Sequence, residues 1–152
     1  MLRGVVVGGE RAVARFGSLP NKLRVQLRIA VQRAATLVQG HSKSDKLSGQ
    51  VLNVRTGRLR RSIHTRVTES AQQVTGIVGT NVEYARVHEY GFDGIVSVRE
   101  QLRTSKLGKS FTVRQHARHT HVPEKSFLRS ALADEREAIR AEFQRATEAA
   151  LR

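Results

Sequence analysis

Arg58-Leu59-Arg60-Arg61-Ser62-Ile63-His64-Thr65-Arg66-Val67 reads with a period of two. Leu59, Arg61, Ile63, Thr65 and Val67 fall on one face of an extended chain, and Arg58, Arg60, Ser62, His64 and Arg66 on the other. The first face carries the branched apolar residues and is expected to point inward, although Arg61 interrupts it. A turn around Ser70–Gln73 leads to Val74–Gly79, rich in β-branched residues. The stretch therefore predicts an antiparallel hairpin, and a sheet as the centre of the fold.

Upstream, residues 41–55 are rich in Ser, Lys, Asp and Gly and read as a loop. Before them, Leu23, Leu27, Ala30, Ala34 and Leu37 recur at spacings of four, three, four and three, one stripe of an α-helix. Ser18 is its expected N-cap, with Pro20 in the first turn and Gly40 as the terminating residue. Arg24 and Arg28 lie off the stripe and are expected to face water or a partner. Residues 2–7 suggest a short strand and Glu10–Phe16 a brief helical stretch.

Downstream of Gly91, Val98-Arg99-Glu100-Gln101-Leu102-Arg103-Thr104 is echoed by Val113-Arg114-Gln115-His116-Ala117-Arg118-His119. The turn-like Ser105-Lys106-Leu107-Gly108-Lys109-Ser110 stands between them, so a long two-stranded arm over 95–122 is the simplest reading. Val96, Val98, Glu100 and Leu102 share a face of one strand, and Phe111, Val113 and Ala117 a face of the other. From Gly94 to Val122 the arm carries six basic residues against Glu100 alone. Such an arm is marginal by itself. We expect it to reach away from its own subunit and dock on an adjoining one, on an acidic surface or on DNA, the alternative being to fold back on its own sheet. After Pro123, Leu128, Leu132, Glu135, Ile139, Phe143, Ala146 and Ala150 trace one long amphipathic helix, closed by a Glu148–Arg152 pair. The order predicts an α+β fold: an antiparallel sheet packed by a long helix in the N-terminal half and a C-terminal helix, with residues 1–152 as one domain and 95–122 as a protruding basic β-hairpin arm.

A chain of 152 residues buries roughly 70% of its unfolded surface and needs no staple, in keeping with the absence of Cys. That absence removes thiol catalysis and Cys-based zinc sites. No apolar run approaches a membrane span, and because Met1-Leu2-Arg3-Gly4 lacks the apolar h-region of a secretory signal, none is expected. There are 27 basic and 13 acidic residues, a net charge of +14. From Glu124 onward six of each cancel, so the whole excess lies in residues 1–123. Such a field attracts nucleic acid or acidic protein surfaces, or simply solubilises the chain.

Catalytic patterns are missing. His116, His119 and His121 form H-x-x-H-x-H, but on a strand the first two point to opposite faces, and no carboxylate lies nearby in sequence to complete a site. His88-Glu89 begins a zincin-like motif that Phe92 ends, because the second His is absent. There is no G-x-S-x-G elbow, and Gly8-Gly9 is not followed by a phosphate-binding Lys-Ser/Thr pair. The reading is of a non-enzyme without metal or cofactor. Arg58, Arg60, Arg61 and Arg66, with Arg99, Arg103, Arg114 and Arg118, are candidate phosphate contacts. Aromatic residues make up only 5%, so a base-stacking platform is not expected.

Three ordered segments resemble one family. They are Thr56-Gly57-Arg58-Leu59-Arg60-Arg61-Ser62-Ile63, the stretch Val78-Gly79-Thr80-Asn81-Val82-Glu83-Tyr84-Ala85-Arg86-Val87-His88-Glu89-Tyr90-Gly91, and Pro123-Glu124-Lys125-Ser126-Phe127-Leu128-Arg129-Ser130-Ala131-Leu132. Over roughly residues 19–145 the chain resembles the neck or tail-completion proteins of long-tailed bacteriophages, also described as minor tail components or virion morphogenesis proteins. The family usually has prolines where Ser126 and Ser130 stand here. The resemblance implies a small subunit similar to tail-terminator proteins, made in the host cytoplasm and placed in the virion neck. It implies a homo-oligomeric ring, six subunits by analogy, that joins tail to head and leaves a channel for packaged double-stranded DNA. Its partners would be adjoining neck and tail-terminator or tail-tube proteins, with no membrane. In that setting Arg58, Arg60, Arg66, Arg99, Arg103, Arg114 and Arg118 would face DNA or a partner. Gly57 and Gly79 would adopt special backbone conformations at the hairpin's ends. Tyr84, His88 and Tyr90 would form a packed corner or an interface, and Phe127 and Leu128 would anchor the last helix to the sheet. A free-standing, sequence-nonspecific DNA-binding protein is the alternative.

Overall fold

The computed structural model describes residues 2–5, 21–70 and 73–151. Its elements are β1 (Leu2–Val5), α1 (Asn21–His41), a π-helical segment Ser42–Gln50, α2 (Arg58–Ser62), β2 (His64–Glu69), β3 (Val74–Thr80) and α3 (Ala85–Tyr90). They continue with β4 (Phe92–Val98), β5 (Gln101–Thr104), β6 (Ser110–Val113), β7 (His116–Val122), α4 (Leu128–Asp134) and α5 (Arg136–Leu151). The fold is α+β. An antiparallel sheet ordered β1-β3-β2 has α1 packed on it, and α1 in turn packs against α5. At Gly76 the helix lies close on the sheet: a Cβ there would stand 2.9 Å from a Val31 methyl.

Phe127, Ile63, Val78, Val38, Ala85 and Ala131 are each buried to 2% exposure or less and form the centre of the core. The predicted β2–β3 hairpin is present, with His64 opposite Gly79 and Glu69 opposite Val74. Its first half differs from the sequence reading: Arg58–Ser62 is a turn of helix, not strand. Leu59 and Ile63 are four apart, a spacing that satisfies one helical turn as well as a period of two. Local chemistry decides for the helix. Gly57 takes a left-handed φ of 70°, its carbonyl accepts the Arg61 N–H at 2.9 Å, and the Thr56 hydroxyl accepts the Arg58 N–H at 3.3 Å.

α1 runs through Gly40 rather than ending there, and the expected loop continues it as the π-helical segment. That segment is held in place because Ser42, Lys46 and Leu47 are buried, a pattern hidden by two polar residues. The buried stripe of α1 is Ala30, Ala34, Ala35 and Val38, while Leu37 is 36% exposed. Arg24 and Arg28 both reach Glu69 at the end of β2, at 3.5 and 3.8 Å. The C-terminal helix is two segments jointed at Glu135, although Glu135 N–H still bonds Ala131 and Ile139 N–H bonds Glu135. Gly79 is not left-handed; it sits mid-sheet between Arg3 and His64, and Gly91 and Gly108 take the positive φ instead. The expected Ser18 cap, Pro20, the Glu10–Phe16 helix and the Arg152 pair lie outside the described residues.

Candidate interaction surface

The hairpin after Gly91 is anchored by a buried carboxylate. α4 begins at Leu128 after Phe127, which has no side chain able to cap it. Helix-start N–H groups buried without an acceptor are costly. Glu89, projecting from α3 and 1% exposed, supplies the acceptor. Its Oε2 accepts the N–H groups of Phe127 (2.8 Å) and Leu128 (2.9 Å). Its Oε1 accepts the Arg129 N–H (2.9 Å), the Ser126 hydroxyl (2.9 Å) and Arg129 Nε (3.3 Å). Arg129 also donates through Nη2 to the Glu89 carbonyl and to Glu124, each at 2.7 Å, and its guanidinium lies 4.5 Å above the Tyr90 ring. Partial burial pulls the Arg129 pKa down, but the bond to Glu89 and the charge of Glu124 outweigh it and raise the value overall. The Lys125 N–H closes the joint on the His88 carbonyl at 2.8 Å.

Gly91 turns the chain out of this joint with φ 72°, and a Cβ there would stand 3.0 Å from both Glu124 N and the Val122 carbonyl oxygen. Tyr84 and Tyr90 are exposed, 41% and 51%, and Tyr84 meets His88 edge-on with ring centres 5.9 Å apart. Phe127 and Leu128 are fully within the core.

From Phe92 opposite Val122 to Thr104 opposite Ser110, β4–β7 and β5–β6 share one register, broken only at residues 99–100 and 114–115. The register separates the apolar residues that the sequence offered as a docking strip. Val96, Val98 and Leu102 pair with Arg118, His116 and Thr112 on one face. Phe111, Val113 and Ala117 pair with Arg103, Gln101 and Ser97 on the other. The arginines divide likewise, Arg118 with the first face and Arg103 with the second. Neither face is covered: Ile95 is 74% exposed, Leu102 71% and Phe111 51%. At the end, Ser105 and Lys109 close the turn with an N–H to carbonyl bond of 2.8 Å, Gly108 N–H bonds the Ser105 carbonyl at 3.0 Å, and Gly108 supplies the φ of 77°. Leu107 projects from that turn, 89% exposed.

Arg58 and Arg60 lie on α2 and Arg66 on β2, so the three do not share one strand face. Those three, Arg99, Arg103, Arg114 and Arg118 are exposed and form no ion pair among the described residues. His119 and His121 do have a carboxylate, supplied across the hairpin by Asp93 at 2.9 and 3.1 Å. Still, among the described residues no three His, Asp or Glu side chains are placed to hold a metal ion. No described helix is long and apolar enough to cross a membrane.

A groove of about 540 Å³ runs between α1 and α5, lined by Leu37, Gly40, Asp45, Glu135, Glu142 and Arg33 among others. At its end His41 sits among Asp45 (3.0 Å), Asp134 (3.1 Å) and Glu135 (3.2 Å), and the buried Lys46 reaches Asp134 at 2.6 Å. The bond from Lys46, helped by His41, holds the Asp134 carboxyl below its ordinary range.

Two features escaped the sequence reading: Glu89, set aside as half of a failed motif, and the acidic groove. The available signal for Glu89 was a helix start at Phe127-Leu128 with no local cap, which demands an acceptor from elsewhere. The groove joins residues from opposite ends of the chain, and no local pattern marks it.

No curated protein and no solved structure shows detectable similarity to the chain. A family model does match, across residues 30–145, from the middle of α1 through the hairpin to the middle of α5. That span holds the sheet hairpin, the Glu89 joint and the arm together, and with it the chain belongs to the phage virion morphogenesis family, whose role is structural and one of assembly.

Proposed function

We propose that the protein is a ring subunit at the head–tail junction of a long-tailed phage, joining tail to head around a channel for DNA. The observation that carries this reading is the family match over residues 30–145. The surface is consistent with it: an excess of basic charge suits a part that surrounds DNA or meets acidic neighbours. Six copies are proposed, with adjoining neck and tail-terminator or tail-tube proteins as partners. In a cyclic ring each exposed arginine is repeated around the axis. Arg58, Arg60 and Arg66 are the candidates for the lumen, and Arg99, Arg103, Arg114 and Arg118 for protein contacts made by the arm. A free DNA-binding module has less support, because these arginines are spread over α2, β2 and both hairpin faces. They form no single phosphate track. Electron microscopy of virions with the protein labelled tests the reading. Label confined to the neck in a fixed copy number is the expected result, and label along packaged DNA but absent from the neck overturns it.

A further inference from the structure

We propose that the basic tip of the hairpin in one subunit seats in the groove between α1 and α5 of a second copy of the chain. The inference deepens the ring reading and rests on it for where the contact forms. Four observations carry it. The tip is built to present one apolar side chain, Leu107, on a turn locked by backbone bonds from Ser105, Gly108 and Lys109. Around it Arg103, Lys106 and Lys109 are exposed and unpaired among the described residues, with no acidic residue between 101 and 110. The groove is the opposite in kind. In a chain of net charge +14 it collects Asp45, Glu135 and Glu142 against Arg33 and His41. Glu142 is paired with Arg33 at 3.6 Å and with Arg145, while Asp45 and Glu135 share the single His41, so the carboxylates outnumber the arginines that face them. Leu37 is partly exposed there, and the space beside Gly40 is open, with nothing within 4 Å of where a Cβ would stand.

Leu107 is 89% exposed, so the tip is not seated in its own subunit's groove, and its length carries it outward. Twelve residue steps from Phe92 to Thr104 at about 3.4 Å each carry the tip about 40 Å from its base. β5 and β6 pair with each other and make no extended contact with α1, α5 or the sheet. Arm-on-arm pairing would place like charges together, whereas tip-in-groove joins opposite charges and covers Leu107. Since tip and groove are different surfaces, the contact is head-to-tail, the type that generates a ring when its rotation closes.

The chain has no Cys, so two introduced thiols report the contact without background. Ser110→Cys protein, which keeps Leu107 and the tip lysines, is mixed with Thr36→Cys protein, Thr36 being an exposed groove residue, under mild oxidation. The control pair is Ser110→Cys with Glu83→Cys, an exposed loop position outside the groove. The proposal expects linked dimers to form roughly ten-fold faster than in the control, because binding raises the effective concentration of the thiols. Placing both thiols in one chain should give a ladder of linked multimers. Lys106→Glu should slow linking, and Asp45→Lys in the partner should restore it. The same double variant is oxidised in assembled particles, where the subunits are held together. Rates equal to the control in solution and no linkage in particles overturn the proposal. A neck ring seen without this linkage leaves the ring reading standing and removes the contact. Linkage in a protein absent from the neck supports the contact and removes the ring's location.

Discussion

Replacing Glu89 by Gln changes neither volume nor shape, yet it should be among the most destabilising single substitutions in the chain. Both carboxylate oxygens face donors only: three on Oε1 and two on Oε2. Whichever way a Gln amide is turned, its NH2 meets at least two N–H or O–H groups. One orientation opposes Phe127 and Leu128, the other Ser126 and Arg129. The site is 1% exposed, so water cannot repair the mismatch. Breaking a buried charged pair from one side costs about 3–5 kcal/mol. Arg129 is half exposed and recovers some hydration, which places the expected loss at about 3 kcal/mol, near the lower end of that range. For a domain of this size each kcal/mol lowers the unfolding midpoint by about 2–4 °C, so the variant should melt about 6–12 °C lower. The chain has no Trp, so urea unfolding is followed by far-ultraviolet circular dichroism. Arg129→Ala, which leaves the three backbone bonds to Glu89 intact, should cost less than half as much. A Glu89→Gln variant within about 1 kcal/mol of the parent would show that the N–H groups of α4 have another acceptor, and the joint as described would be wrong.

Gly91→Ala should destabilise by at least about 1 kcal/mol, from its left-handed φ and the 3.0 Å approach to Glu124 N and the Val122 carbonyl; midpoints in urea check this. The lowered Asp134 carboxyl stabilises the fold above its ordinary value of 3.8, and that stability is lost as pH falls through its lower folded value. Asp134→Asn should therefore be less stable at neutral pH and show a flatter loss in acid, read by unfolding at a series of pH values. Replacing residues 99–118 by a short Gly-Ser turn should leave the midpoint within about 2 °C, because the removed residues bury so little; incorporation into virions should fail. Arg58→Ser, Arg60→Ser and Arg66→Ser together should leave stability within about 1 kcal/mol, about what solvent-exposed, unpaired positions contribute, while DNA retention or ejection changes.

Periodicity located the elements that bury an apolar stripe, which is why α1, β3 and the hairpin's two strands were legible. It failed where two periods coincide, at Leu59 and Ile63, and where polar side chains are buried. Ser42 is fully buried with its hydroxyl on the Phe127 carbonyl at 3.4 Å, and Lys46 is 8% exposed beside Asp134. Their burial depends on partners 85 and 88 residues away, so no window of sequence around 42–50 contains the reason for the helix. The arm was legible as a hairpin from its echo and its Gly turn, but its faces were not. Face assignment needs the register across the turn, and pairing Thr104 with Ser110 sends Phe111 opposite Arg103 and away from Leu102. Arginine spacing gave the candidates and could not say that Arg58 and Arg60 turn on a helix.

The two segments Val78–Gly91 and Pro123–Leu132, separated by the whole arm in sequence, are the two halves of one joint. Glu89 bonds across to residues 126–129, Lys125 N–H bonds back to His88, and Gly91 lies against Val122 and Glu124. The ends of the arm are thus held together by contacts that none of residues 95–118 makes. Stability and reach are consequently separate properties of the molecule: the joint belongs to the core through Phe127 and Leu128, and the tip belongs to whatever it meets. A hairpin attached by flexible ends would lose most of its binding free energy to ordering the attachment. Fixed at the base by a carboxylate with five donors and a glycine with no room for a side chain, the β4–β7 ladder leaves the core in a defined direction, with β5–β6 and Leu107 beyond it. That direction is what a repeated head-to-tail contact requires, because a ring closes only if every subunit offers its tip at the same angle.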